Sequence, residues 1–371
     1  MEIPHFKPFK MRYTGTIQLI APEGINAVRL ALRVGGVAFD DTHASDQEPK
    51  LIVEGESLTQ PQAMLRCAGR LGGSYPVASP TLALRVDEIL HVLSEVDAKM
   101  KDGLNKHSES HSFTRLHCIA GSELFVALES ATKLTSTNKH ICEVELKVES
   151  HSRMQKMNEN VCGIVPKLKL MYFPFPGRAE PIRLAFFIAG IPFEDERINA
   201  DELERRRSSL PFNQIPVLAV AGELISQALA ILRYAGTLGG LYSSTDYKES
   251  FRIDEVFSLV DEFYCSYIWN ASYYEKDPAK QMMLRTTLAE CTLPRTLEFL
   301  ETRVGKWKGL HAVGMRFTVA DLAIYSLLWT FKSGRIAGAP VSVVDPFKNL
   351  LQVHQTVATH PKVVEWTALS R

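Results

Sequence analysis

The sequence lacks the features that mark several common functional classes. Lys+Arg and Asp+Glu each total 42 in 371 residues, so no net field draws the chain to nucleic acid or to an anionic membrane surface. No run approaches the ~18 apolar residues that cross a bilayer. The opening stretch Met1 to Pro22 carries Lys7, Lys10 and Arg12 but no continuous apolar core of a signal peptide. The six cysteines (Cys67, Cys118, Cys142, Cys162, Cys265 and Cys291) form no CxxC pair. They read as reduced thiols of a cytoplasmic protein, neither a disulfide framework nor a redox motif. His107, His111, His117 and Cys118 fit no common zinc spacing, so no metal is expected. Arg205-Arg206-Arg207 reads as the solvated face of a polar helix.

What the chain does have is an internal repeat. Thr59 to Gly73 (TQPQAMLRCAGRLGG) lies over Ser226 to Gly240 (SQALAILRYAGTLGG) at an offset of 167, with nine identities in fifteen. The same offset carries Arg85–Leu90 onto Arg252–Phe257. Upstream, Arg29 to Asp41 (RLALRVGGVAFDD) matches Arg183 to Asp195 (RLAFFIAGIPFED) at an offset of 154, so the first copy is thirteen residues shorter between these blocks.

The second copy carries the fuller pattern. Lys167 to Phe173 alternates as a strand, and Pro174, Pro176 and Gly177 end it. Pro181 to Ala189 has helical spacing; a strand near Phe193–Ile198, a polar helix near Asp201–Ser208, a strand over Pro216–Val220 and a helix over Ser226–Tyr234 follow. This β-α-β-α-β-(β)-α order implies a small mixed sheet with helices on it. Beyond Gly239-Gly240, Ile253, Val256, Phe257, Val260, Phe263, Tyr264 and Tyr267 mark an amphipathic helix, with further helices over Met282–Val304 and Val319–Thr330. Thr318 and Asp321 make a capping-box-like start for the last.

Four runs, in order, resemble the tyrosine-type cytosolic glutathione transferases of the sigma, alpha, mu and pi group: Tyr172–Arg183 (YFPFPGRAEPIR), Leu210–Leu218 (LPFNQIPVL), Gln227–Tyr234 (QALAILRY) and Phe317–Ala323 (FTVADLA). The resemblance covers about Pro166 to Arg371. It implies an α/β plus all-α fold, with a thioredoxin-like domain at 166–243 binding glutathione and a helical domain at 244–371 binding a small hydrophobic electrophile. It makes Tyr172 the hydroxyl that activates glutathione's thiol and Arg178 its electrostatic support. Glutathione contacts would come from Arg207, Gln214, Ile215, a cis Pro216, Gln227 and the start of the following helix, with Asp261 reaching in from a second subunit of a homodimer. Phe175 and Trp269 would wall the electrophile pocket. Two positions depart from the pattern. Leu203 stands where several relatives place a tryptophan, and Ala228 stands where they carry the Ser or Thr whose hydroxyl binds the γ-glutamyl carboxylate.

In the first copy, residues 1–100, the repeat offset puts Gln18 at the place of Tyr172 and Gly24 at that of Arg178. Pro49 falls at the place of Pro216 and Pro61 at that of Ala228. This degenerate, truncated thioredoxin-like repeat is expected not to bind glutathione; it acts as a packing partner or is not independently stable. Residues 101–165 match nothing and form a connector of uncertain structure. The function expected is glutathione conjugation. The alternatives are a noncatalytic scaffold or ligand-binding protein that kept the fold, and a glutathione-dependent isomerase or peroxidase.

Overall fold

The computed structural model describes residues 16–21, 26–34, 37–43, 49–72, 75, 80–81, 83–88, 166–243 and 245–369. The connector at 101–165, its histidines and Gly24 lie outside them.

The first copy contains strand β1 (Ile17–Ala21), helix α1 (Asn26–Val34), β2 (Asp40–His43), β3 (Lys50–Val53), β4 (Glu56–Leu58) and α2 (Pro61–Leu71). The strands lie in the order β2-β1-β3-β4, with β1 parallel to β2 and antiparallel to β3. Alternate residues turn inward, so Ile17, Leu19, Leu51, Val53 and Leu58 are buried together with Leu32 and Met64 of the helices.

The second copy repeats this plan as β5 (Leu168–Tyr172), α3 (Glu180–Ile188), β6 (Glu194–Arg197), an added α4 (Ala200–Arg206), β7 (Val217–Val220), β8 (Glu223–Ser226) and α5 (Ala228–Leu238), in the sheet order β6-β5-β7-β8. The buried polar contacts are duplicated too. Asp87 accepts from Arg66 Nε at 2.6 Å and from the Tyr75 hydroxyl at 2.8 Å. At the equivalent places Asp254 accepts from Arg233 Nε at 2.6 Å and from Tyr242 at 3.0 Å. Arg29 pairs with Asp41 at 2.9 Å as Arg183 does with Asp195 at 3.0 Å. Breaking a buried ion pair by removing one partner costs about 3–5 kcal/mol. The first copy therefore keeps the sheet, core and ion pairs of a folded thioredoxin-like repeat.

Two deletions separate the copies. Six residues join β2 to β3 where nineteen join β6 to β7, which removes the counterpart of α4. The second deletion corrects a sequence expectation. Leu19 pairs with Asp41 as Leu170 pairs with Asp195, so Ala21, paired with His43, is the counterpart of Tyr172, paired with Arg197. Gln18 is therefore three residues out of place. The strand-to-helix turn is three residues shorter in the first copy, and an alignment carried back from the helix cannot see that gap.

The helical domain comprises α6 (Tyr247–Cys265), α7 (Tyr267–Tyr274), α8 (Pro278–Thr287), α9 (Leu293–Lys306), α10 (Val319–Lys332), α11 (Lys348–Ala358) and α12 (Pro361–Leu369). The single helix expected over Met282–Val304 is split by a π turn at Leu288–Thr292, where Leu293 N–H bonds to the Leu288 carbonyl. Pro294 has no N–H to offer the carbonyl four residues back, and widening the turn accommodates the loss. At the head of α10 the Thr318 N–H donates to Asp321 Oδ2 at 2.8 Å, the capping box read from the sequence. Helix α10 packs against α3, α5, α6 and α11, joining the helical layer to the second sheet. Among the described residues no helix is long and apolar enough to cross a membrane.

Candidate functional site

Tyr172 is the last residue of β5 and is 7% exposed. The chain leaves it through Phe173-Pro174-Phe175-Pro176 into a short 3-10 turn at Gly177–Ala179. Arg183, 1% exposed on α3, holds this loop from beneath. Its Nη2 donates to the Phe173 carbonyl at 3.0 Å, its Nη1 to the Phe175 carbonyl at 3.1 Å, and its Nε to Asp195. The Phe173 and Phe175 rings stack at 5.1 Å, and both meet the Tyr172 ring edge-on, at 5.5 and 5.8 Å.

The phenol oxygen accepts a hydrogen bond from the backbone N–H of Arg178 at 3.3 Å. This bond leaves the hydroxyl's own proton available for donation. Room for this approach comes from Gly177, whose φ is +46° and where a Cβ would stand 2.7 Å from the Tyr172 oxygen. Burial pushes the Tyr172 pKa above its ordinary value, against the opposing pull of the Arg178 amide and guanidinium, so the hydroxyl stays protonated at neutral pH.

Arg178 Nη2 donates to Asp261 Oδ1 at 2.5 Å. Burial works against the Arg178 charge, and Asp261, Cys265 and Tyr172 together outweigh it, so its pKa is raised. Asp261 is paired within its own chain. It lies 6% exposed on α6, committed to Arg178 of its own chain, with Cys265 Sγ 3.7 Å from its other oxygen. Its neighbour Glu262 is exposed.

The Ile215–Pro216 peptide is cis. Pro216 is buried and Ile215 half-buried, leaning on a core of Met171, Ile198, Leu203, Leu210 and Val217. Leu203 belongs to that core and has no donor to offer. Gln214 is exposed just before the cis bond. Arg207 is turned to Glu204 one helical turn back, a carboxylate that competes with any ligand carboxylate. Gln227, at the head of α5, holds φ +76° and ψ +109°, a strained conformation for a residue with a side chain. It is 3% exposed, and its Nε2 has no hydrogen-bond partner. A buried orphan donor is costly unless a ligand satisfies it. Ala228, the first residue of α5, is buried and contributes no hydroxyl. In the first copy the counterpart Gln60 sits at φ −79°, ordinary backbone, ahead of Pro61.

The two residues expected to wall the electrophile pocket are linked through α7. The Phe175 ring meets Tyr273 at 6.5 Å, and Trp269 stands one turn earlier on the same helix. Trp269 packs on Phe263, Tyr264 and Phe331 at 5.4, 5.3 and 6.1 Å. Sequence reasoning did not single out Arg183 or Tyr273. Only Arg183 left a signal, since Arg29/Asp41 and Arg183/Asp195 recur together at one offset.

A strand-end phenol that accepts from a backbone amide and donates to no other group, a cis peptide and an unsatisfied amide donor suit an extended thiol peptide. Together with the fold they define a thioredoxin-like domain joined to a helical partner domain. The glutathione S-transferase N-terminal domain model matches residues 168–237 and the C-terminal domain model residues 265–369. Hematopoietic prostaglandin D synthase of Gallus gallus is 29% identical over 202 residues, 54% of this chain and 96% of that protein. Glutathione S-transferase 1 of Ascaris suum is 30% identical over 212 residues, 53% of this chain and 98% of that protein. The mouse hematopoietic prostaglandin D synthase is 31% identical over 202 residues, 54% of this chain and 96% of that protein. The chain belongs to the glutathione S-transferase family, a family of transferases with glutathione as co-substrate.

Proposed function

We propose that the chain conjugates glutathione to small hydrophobic electrophiles, with Tyr172 holding the sulfur as thiolate. The observation that carries this reading is the Tyr172 hydroxyl, whose oxygen is occupied by the Arg178 amide while its proton is unclaimed. A free thiol has a pKa near ~8.5, so only a few per cent ionises at neutral pH. Lowering that by ~2 units takes roughly 2.7 kcal/mol, the size of a good hydrogen bond to a charged group. Arg178, held by Asp261, adds positive charge beside the developing thiolate. The main chain of Ile215 would pair with the cysteinyl unit, Gln214 and Arg207 would face the glycyl end, and Gln227 and the head of α5 the γ-glutamyl end. The activated sulfur then attacks the electrophilic atom, and the leaving group departs with the electron pair of the bond that breaks. We assign 166–243 to glutathione binding, 244–371 to the electrophile and 1–100 to a repeat that binds none, in a cytoplasmic protein.

One observation favours a second, noncatalytic reading. Ala228 removes a hydroxyl worth about 1.5–3 kcal/mol to a charged ligand group. The two separate cleanly. Thioether formation with a chloronitrobenzene, lost in Tyr172→Phe, supports the transferase; no heat of glutathione binding at millimolar ligand leaves the scaffold.

A further inference from the structure

The last helix, α12, meets α3 through a tryptophan. Val363 is 1% exposed, and Trp366 follows one turn later on the same side of the helix. The indole ring packs on Phe187 of α3 at 5.1 Å and on Phe193 at 6.4 Å. Its Nε1 donates to Glu180 Oε1 at 2.7 Å, a charge-assisted bond between residues 186 apart in the chain. Glu180 opens α3, directly after the turn Gly177–Ala179 whose Arg178 amide donates to the Tyr172 oxygen.

The other carboxylate oxygen, Glu180 Oε2, lies 3.4 Å from Arg183 Nη1. That nitrogen also donates to the Phe175 carbonyl at 3.1 Å and reaches the Pro176 carbonyl at 3.5 Å. Two protons therefore serve three acceptors. An ionised carboxylate is the stronger acceptor by roughly twofold, so it would win the nitrogen if it came closer. Instead the Phe175 carbonyl keeps the shortest of the three contacts, and the carboxylate's other oxygen is tied to α12.

We propose that Trp366 is a positioning residue for the Tyr172 hydroxyl: by holding Glu180 it keeps Arg183 bonded to the loop that seats the phenol. This rests on the transferase reading and extends it to the far end of the chain. Without the indole proton, Glu180 closes on Arg183 and takes Nη1 from the Phe175 carbonyl. The loop loses that anchor, and the phenol, packed edge-on against Phe173 and Phe175, moves with it. Trp366 itself makes no bond to the sulfur.

Trp366→Phe keeps a ring against Phe187 and Phe193 and removes only the N–H donor. Ultraviolet titration of the thiolate bound to the full chain should give a pKa about 1 unit above wild type, half of the ~2-unit depression assigned to Tyr172. Adding Glu180→Gln to this variant should return the pKa to the wild-type value, because a neutral amide oxygen competes with the Phe175 carbonyl no better than another carbonyl does. An unchanged pKa in Trp366→Phe overturns the proposal. So does a rise that Glu180→Gln leaves in place, since neutralising Glu180 does nothing to mend loosened packing of α12. If the thiol bound to wild type already titrates at the free value, the transferase reading fails before any variant is compared, and this proposal falls with it.

Discussion

Gly177→Ala tests how closely the loop is fitted around the Tyr172 oxygen. Two costs can be separated. A side chain at φ +46° sits in the left-handed region, which costs about 1–2 kcal/mol. The new methyl would also stand 2.7 Å from the Tyr172 oxygen and 3.0 Å from its ring carbon, roughly half an ångström inside ordinary contact. Phe173 and Phe175 pack against the ring, so relieving the contact displaces the phenol from its present position. A misplacement of 1 Å at a reacting centre can cost about a hundredfold, so half of that costs about tenfold in kcat. Gly190 supplies the control. Its φ is +68° but nothing lies within 4 Å of a built Cβ, so Gly190→Ala carries the backbone cost alone. Urea unfolding should show Gly190→Ala destabilised by about 1–2 kcal/mol and Gly177→Ala by more, with a loss of kcat for thioether formation only in Gly177→Ala. Equal activity in the two would show that the Tyr172 oxygen is not held where the reasoning puts it.

Three further outcomes follow from the same geometry. Asp87→Ala and Asp254→Ala each remove the carboxylate from a buried ion pair and should each cost about 3–5 kcal/mol in denaturant unfolding; a shift under about 1 kcal/mol for Asp87→Ala would deny the first copy a stable fold of its own. Ala228→Ser should tighten glutathione binding about tenfold or more by calorimetry, and an unchanged affinity would mean that backbone or water already supplies the contact. His354, half-buried beside Tyr325 and near Lys332, has its pKa lowered from 6.5 to about 4, chiefly by burial. The folded state therefore binds fewer protons than the unfolded one between these values, and stability that is full above pH 6.5 drains as pH falls toward 4. Unfolding titrations of His354→Phe should show a shallower loss across that window.

Much of the site was legible because it is written in local sequence. Tyr172 ends an alternating run, Pro174, Pro176 and Gly177 stop the strand, and Thr318 and Asp321 cap a helix; each acts on its near neighbours. The repeat was legible for the same reason, since Arg66/Asp87 and Arg233/Asp254 keep one spacing. What escaped depends on where distant elements meet. Asp261 lies far along the chain from Arg178, and only the packing of α6 brings its carboxylate to that guanidinium. The Gln18 error shows the limit of alignment, since three residues lost in a turn leave no trace until strand pairing fixes Ala21 beside His43.

The central claim is that the Tyr172 phenol keeps a bound sulfur ionised. Ultraviolet titration of the thiolate in the glutathione complex measures this directly, in wild type and in Tyr172→Phe. The account predicts a bound-thiol pKa about 2 units below the free value near ~8.5 in wild type, and a return to that value in the variant. Superimposable titrations in the two proteins would contradict it.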